Sequence, residues 1–322
     1  MRRARWFVAA ALALALLAPG GAAQEDDRLV VYSGRRESLV GPILAQFESA
    51  TGVQVEVRYG DTPQLAATLL EEGAASPADL FYAQDPGGLG AVEPLLRELP
   101  DALLDRVAGR FRSPEGLWVG ISGRARTLVY NPNALSEAEL PDDLTGLTDP
   151  RWRGRLGWAP TNASFQAMVT AMRALWGEAA TRAWLLGVQA NAPRVYPGNT
   201  PQVEAVSRGE IDVGMVNHYY LFRFLATQGE AFPARNYHPR AGGPGALVMV
   251  SGAGVLASAR HVSAAERFLD FMLSQVAQQY FASTTCEYPV IAGVQTDRLL
   301  VPLDAINAPD IDLAELADLA GT

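Results

Sequence analysis

The strongest constraint on this chain is an alternation of short apolar runs with amphipathic stretches between residues 28 and 82. Arg28–Tyr32 reads R-L-V-V-Y and stops at Ser33 and Gly34. Glu37–Ala50 then carries Leu39, Val40, Ile43, Leu44 and Phe47 at helical spacing, and Gly52 ends it. Val53–Tyr59 alternates as V-Q-V-E-V-R-Y, Pro63–Gly73 reads as a helix stopped by glycine, and Ala78–Tyr82 is a third strand. Strands separated by helices join in parallel, so this order predicts an α/β fold with a largely parallel sheet. Ligands of such sheets gather at the carboxyl ends of the strands. Those ends are S-G-R-R (33–36), G-D-T (60–62) and A-Q-D (83–85).

The middle of the chain repeats the logic. Arg155–Ala159 reads as a strand, followed by P-T-N-A-S-F and a helix from Gln166 to Leu175. Pro201–Arg208 is a short helix, and Ile211–Val216 is a strand that delivers N-H-Y-Y at its far end. Residues 221–227 continue as a helix. Two further extended runs, Thr127–Tyr130 and Ala246–Val250 with Gly252–Leu256, are expected to cross between two lobes. The second lobe (124–245) is then inserted into the first (24–123 and 246–322), and Ala257–Asp270 returns as a helix.

Composition narrows the function. With 49% hydrophobic and 19% charged residues, the chain is ordinary globular material. Its net charge of −9 argues against nucleic acid or an anionic membrane as the main partner. The start M-R-R-A-R-W-F, a short apolar run and small residues ending at Ala23 read as a secretory signal peptide, 1–23. Removing Arg2, Arg3 and Arg5 leaves 23 basic against 35 acidic residues, hence about −12. Cys286 is the only cysteine, so no internal disulfide forms and no lipid-anchor cysteine stands at the cleavage site. A soluble exported protein, most naturally periplasmic, is expected.

Enzyme templates fail. The chain holds no H-E-x-x-H, no G-x-x-x-x-G-K-S/T and no G-x-S-x-G. His218, His238 and His261 are scattered, and His261 reads as a surface or capping residue. Carboxylate pairs such as Asp26–Asp27, Glu71–Glu72 and Asp142–Asp143 read as solvated surface. Tyr219 and Tyr220 stand apart. Adjacent side chains diverge on any regular element, so one flat core face does not require both rings. A phenol ionises near pH 10, and a strongly charged cation lowers that value and takes the oxygen as ligand. Phenolate is a hard anionic donor suited to a hard cation such as ferric ion. Taken alone, the dipeptide is more at home as two aromatics packed in an interlobe wall.

In its wider context the chain resembles periplasmic ferric-ion-binding proteins of bacterial ABC importers. The segments V-V-Y-S-G-R, A-T-G-V-Q-V, E-E-G-A-A-S-P-A-D-L-F-Y and I-S-G-R-A-R-T-L-V-Y-N carry the likeness. So do G-N-T-P-Q-V-E-A-V-S-R-G-E-I-D, N-H-Y-Y, P-G-A-L-V-M-V-S-G-A-G-V-L and C-E-Y-P-V, in shared order and spacing. The resemblance implies a type II periplasmic-binding fold: two α/β lobes joined by crossover strands, with Fe(III) in the cleft. It implies Tyr219 and Tyr220 as ligands, no catalysis, a monomer, and an inner-membrane ABC permease as the partner.

The chain departs from the family's pattern at three places. Arg36 stands where a histidine is used, Gln84 where a glutamate is used, and Phe165 where some relatives have a third tyrosine. Two phenolates, with Gln84 as a further candidate ligand, leave an octahedral ion open to a small anion such as carbonate. Arg124, Arg126 and Arg36 are candidate anion holders, because guanidinium grips planar oxyanions in a bidentate way. Thr161, Asn162, Ala163 and Ser164 form a turn into a helix where free amides favour an anion. Asn199 and Asn217 match polar positions near the cleft, and His218 is expected to face away. The competing expectations are the same fold binding an anionic or organic solute without iron, and a secreted hydrolase.

Overall fold

The computed structural model describes residues 27–317 and 321–322, so the expected signal peptide, 1–23, lies outside the described residues. The first three strands are β1 (Arg28–Ser33), β2 (Gln54–Tyr59) and β3 (Leu80–Ala83), with α1 (Glu37–Thr51) and α2 (Thr62–Glu72) between them. β1 pairs in parallel with both β2 and β3, as the alternation predicts. The helices α3 (Pro86–Ala91) and α4 (Asp101–Leu104) follow.

β4 (Val119–Tyr130) then runs for 12 residues, every one buried. The sequence reading placed only Thr127–Tyr130 in this strand. The first two thirds are hidden because V-G-I-S-G-R-A-R carries glycines, a serine and arginines where a buried strand usually carries apolar residues.

The next part of the chain holds β5 (Leu156–Trp158), α5 (Ala163–Trp176), α6 (Glu178–Ala190), β6 (Arg194–Val195), α7 (Asn199–Ser207), β7 (Val213–Asn217), α8 (Tyr219–Gln228) and β8 (Arg235–Tyr237). Of these, α6, β6 and β8 were not read from the sequence. Helix α5 starts three residues earlier than expected, α7 two earlier, and α8 two earlier. In each case a polar or aromatic first turn breaks the apolar period but not the helix. The chain closes with β9 (Val248–Val255), α9 (Val262–Met272), α10 (Gln275–Tyr280) and β10 (Tyr288–Pro289). The expected helix Ala257–Asp270 begins only at Val262. Before it, the Asp79 carboxylate takes the Arg260 and His261 amides and pairs with the His261 ring at 2.9 Å.

One connected sheet runs β2-β1-β3-β9-β4-β7-β5-β6. β4 is its pivot. Residues Val119–Ala125 pair antiparallel with β9, whereas Arg126–Tyr130 pair with β7 and β8. One strand therefore belongs to two α/β layers, the type II arrangement of two lobes joined by crossovers. In one layer α1 and α9 cover β1, β3 and β9, with Phe47 and Phe268 edge to face at 5.3 Å. In the other, Trp152, Phe165, Met168, Met172 and Trp184 fill the space under β5 and β7.

The crossovers approach closely. A Cβ on Gly252 would lie 2.8 Å from the Val119 carbonyl, and one on Gly120 would lie 2.7 Å from the Phe111 carbonyl. Both obstacles are backbone and cannot rotate away. Gly252→Ala is expected to cost about 1–3 kcal/mol of stability, several degrees in Tm by calorimetry. An unchanged Tm would show that the crossovers are loosely paired.

Candidate metal and anion site

The carboxyl ends of β1 and β3 face the starts of α5 and α7 and the end of β7 across a cleft of about 560 Å³. Gly34, Arg36, Asp61, Thr62 and Gln84 line one wall; Thr161, Asn162, Ala163, Pro197 and Tyr220 line the other. Gly34 is required there, since a Cβ would sit 2.0 Å from Thr62 Oγ1, which accepts the Gln84 amide at 3.0 Å.

Tyr219 and Tyr220 open α8 directly after β7, so both phenols leave a strand-to-helix junction. Their rings stack at 4.4 Å with a 27° tilt. Tyr220 lines the cleft, while Tyr219 lies deeper, with 1% of its surface exposed. The Tyr219 hydroxyl has no hydrogen-bond partner of good geometry among the described residues. Burial and the neighbouring Tyr219 phenol push the Tyr220 pKa upward, against the pull of Arg35 and Arg36. Tyr220 therefore stays protonated at neutral pH unless a strong Lewis acid ionises it.

His218 is committed elsewhere. Its Nδ1 accepts the Ala125 amide at 3.0 Å and its Nε2 donates to the Cys286 carbonyl at 2.8 Å. Its ring lies 4.6 Å from Tyr288. Burial pulls its pKa down to about 3. The histidine thus pins the start of α8 to the pivot of β4.

Arg124 and Arg126 stand at that pivot, both fully buried. Arg126 Nη1 donates to Asn217 Oδ1 at 3.0 Å and to Asn199 Oδ1 at 3.5 Å. Asn217 Nδ2 donates onward to Ser164 Oγ at 3.1 Å, which also accepts Gln84 Nε2 at 3.4 Å from the other wall. Asn199 Nδ2 reaches Asn162 Oδ1 at 3.4 Å. Asn162 makes no side-chain cap on α5, which leaves the first turn available to a ligand. Burial lowers the Arg126 pKa to about 9, with Tyr220 and Tyr219 opposing. All three Arg124 nitrogens, and Nε and Nη2 of Arg126, lack hydrogen-bond partners among the described residues. Five buried guanidinium nitrogens without acceptors are costly in a dry interior, so the pivot is built for oxygens that the chain itself does not provide.

The structure thus gathers Tyr220, Gln84, Arg36, Thr161, Asn162 and Ala163 on the cleft, with Tyr219, Arg124, Arg126, Ser164, Asn199 and Asn217 behind it. Sequence reasoning missed Arg35, Glu287, Tyr82 and Asp85, all buried in the same region. The S-G-R-R motif pointed to Arg36, yet Arg36 is the exposed member and Arg35 the interior one. Nothing local marks Glu287, because its partner is 252 residues away. Among the described residues no group of three or more His, Cys, Asp or Glu is placed to hold a metal. No helix there is long and apolar enough to cross a membrane.

This fold, with its cleft between crossover-linked lobes, defines a solute-binding protein rather than an enzyme. The chain belongs to the family described as bacterial extracellular solute-binding protein, which it matches over residues 75–313. It is 37% identical over 299 residues to the Fe(3+)-binding periplasmic protein of Serratia marcescens, covering 92% of this chain and 88% of that one. Its fold superposes on iron-bound HitA from Pseudomonas aeruginosa with a TM-score of 0.87 at 36% identity, covering 91% and 96%. The Trichodesmium protein IdiA (FutA), solved with iron and citrate ligands, gives a TM-score of 0.78 at 29% identity, covering 91% and 96%.

The histidine predicts an acid response. Its folded pKa of about 3 lies below the ordinary histidine value of 6.5, so the unfolded chain takes up the proton first. Stability is then complete above pH 6.5 and falls as pH drops toward 3. His218→Gln is expected to flatten that slope in denaturant melts at pH 7, 5.5 and 4. A parent and variant with parallel slopes would remove His218 as a contributor.

Proposed function

We propose that this protein captures ferric iron in the interlobe cleft through Tyr219 and Tyr220, with a small exogenous anion completing the coordination. Delivery to an inner-membrane ABC permease follows, with lobe closure as the signal that the transporter reads. The observation that carries the reading is the pairing of two adjacent buried phenols with partnerless guanidiniums at the crossover pivot. Its support from relatives is that the chain is similar along most of its length to proteins named for Fe(3+) or solved with iron.

Charge arithmetic favours a dianion. The interior of the site holds three cations (Arg35, Arg124, Arg126) and two carboxylates (Asp85, Glu287), a balance of +1. Ferric ion with two phenolates adds +1, giving +2. Carbonate or another dianion brings the filled site to neutrality, which a low-dielectric interior strongly favours. In this reading the oxyanion meets Arg124 and Arg126 while Thr161, Ala163 and Ser164 offer their amides; the Asn162 amide, expected to join them, is spent on the Ala159 carbonyl at 3.0 Å. Asn199 and Asn217 orient Arg126, and Gln84 bridges the walls through Ser164.

The same orphan guanidiniums favour a second reading, an anionic solute bound without metal. Adding ferric ion and bicarbonate separates the two. Iron on phenolate gives a visible tyrosinate-to-iron charge-transfer band; a colourless mixture without bound iron sinks the iron reading. Tyr219→Phe and Tyr220→Phe are each expected to weaken iron binding by at least about a hundredfold, about 2.7 kcal/mol. Because the Tyr219 hydroxyl is unpartnered, Tyr219→Phe should leave the Tm of the iron-free protein unchanged or higher. Parent-like iron affinity in both variants would overturn the ligand assignment.

A further inference from the structure

Behind the tyrosine pair lies an ion pair that the proposed ligand set does not use. Arg35 follows the end of β1 and Glu287 precedes β10, and neither side chain has any exposed surface. Arg35 Nη2 donates to both Glu287 oxygens at 2.7 Å. Glu287 also accepts Thr285 Oγ1 at 3.0 Å, so the carboxylate is held from its own side. This grip occupies one nitrogen only. Arg35 Nε and Nη1 are buried without partners among the described residues, as are the hydroxyls of Tyr82 and Tyr219. The Arg35 charge acts on Tyr82, Tyr219 and Tyr220.

A structural salt bridge normally uses the guanidinium fork on its carboxylate and satisfies the remaining N–H groups with backbone. Here the grip on one nitrogen fixes the cation and leaves two donors unspent, between Gly34 and Arg36, which line the cleft together with Tyr220. Arg36, by contrast, is exposed and projects into the cleft, where solvent screens it.

We propose that Arg35, locked by Glu287, is a positioning residue of the iron site: a fixed interior cation that favours filling by a net-negative metal–anion complex. The inference rests on the tyrosinate reading above. Ferric ion on two phenolates is +1; a monoanion makes the added group neutral, a dianion makes it −1 and a trianion −2. Arg35 is therefore indifferent to filling with a monoanion, favours a dianion, and favours a trianion more. A brace that only holds β1 to β10 would have no such order.

The experiment measures iron retention against excess hydroxamate chelator with formate, carbonate or citrate as the sole added anion. It compares the parent, Arg35→Lys, and the double variant Arg35→Gln with Glu287→Gln, which keeps hydrogen-bonding groups and removes both charges. The double variant removes a net-neutral pair and so deletes only the field of its guanidinium end, which acts on the phenols; it is expected to lose about threefold in retention with carbonate, more with citrate and little with formate. Arg35→Lys, which keeps the charge, should recover most of that loss and the parent's anion order. Equal losses across the three anions, or a lowered Tm with retention unchanged, would overturn the proposal. If the double variant does not fold, an Arg35→Lys variant that folds but loses the parent's anion order overturns it too. A parent that shows no charge-transfer band under any anion instead defeats the tyrosinate reading and this inference with it.

Discussion

The structure turns on charge buried at the crossover strand. β4 passes through the middle of the sheet with Arg124 and Arg126 on successive same-facing positions, both without solvent. A charge in such a place is tolerated only when oxygens surround it. Asn217, Asn199 and the tyrosine phenols supply part of that environment, and the cleft leaves the rest to a ligand. The strand that links the lobes is thus also the strand whose electrostatics stay incomplete until something binds.

The neighbouring elements follow from that requirement. β7 pairs with β4 in a register that sets Asn217 opposite Arg126. The next residue, His218, spends both ring nitrogens on the backbone, one of them on the Ala125 amide of β4. The tyrosines then open α8 at a fixed distance from the arginines. A histidine beside two phenols looks like a ligand; in this packing it is spent on backbone and clamps the helix start that carries the phenols. The lobes meet through polar side chains at the cleft, where Ser164 receives Gln84 from one wall and Asn217 from the other. Of these two contacts only Gln84 to Ser164, at 3.4 Å between neutral groups, crosses from one lobe to the other, and it is a weak tie.

Much of this was legible in the sequence. Periodicity located β1, α1, β2, α2 and β3, and these alone require a parallel sheet with ligands at its carboxyl edge. The strand before N-H-Y-Y placed the tyrosines at a junction, and S-G-R-A-R flagged Arg124 and Arg126. The misses at the site share one cause, polar burial. β4 escaped detection over most of its length because its burial is polar, and hydrophobic patterning reads only apolar burial. Asp79 and Glu287 escaped because a buried carboxylate looks like a surface one until its distant partner is known.

By itself, then, the sequence determined the α/β class, the strand-to-helix placement of the paired phenols and the presence of basic residues near them. Those are local properties, set by side-chain period and by chemistry within a few residues. Tertiary structure alone decided which of two adjacent arginines lies inside. It also decided that His218 is spent on backbone and that Glu287 meets Arg35 across 252 residues of chain. These depend on which strands pair and in what register, and they exist only once β4 and β10 are in place.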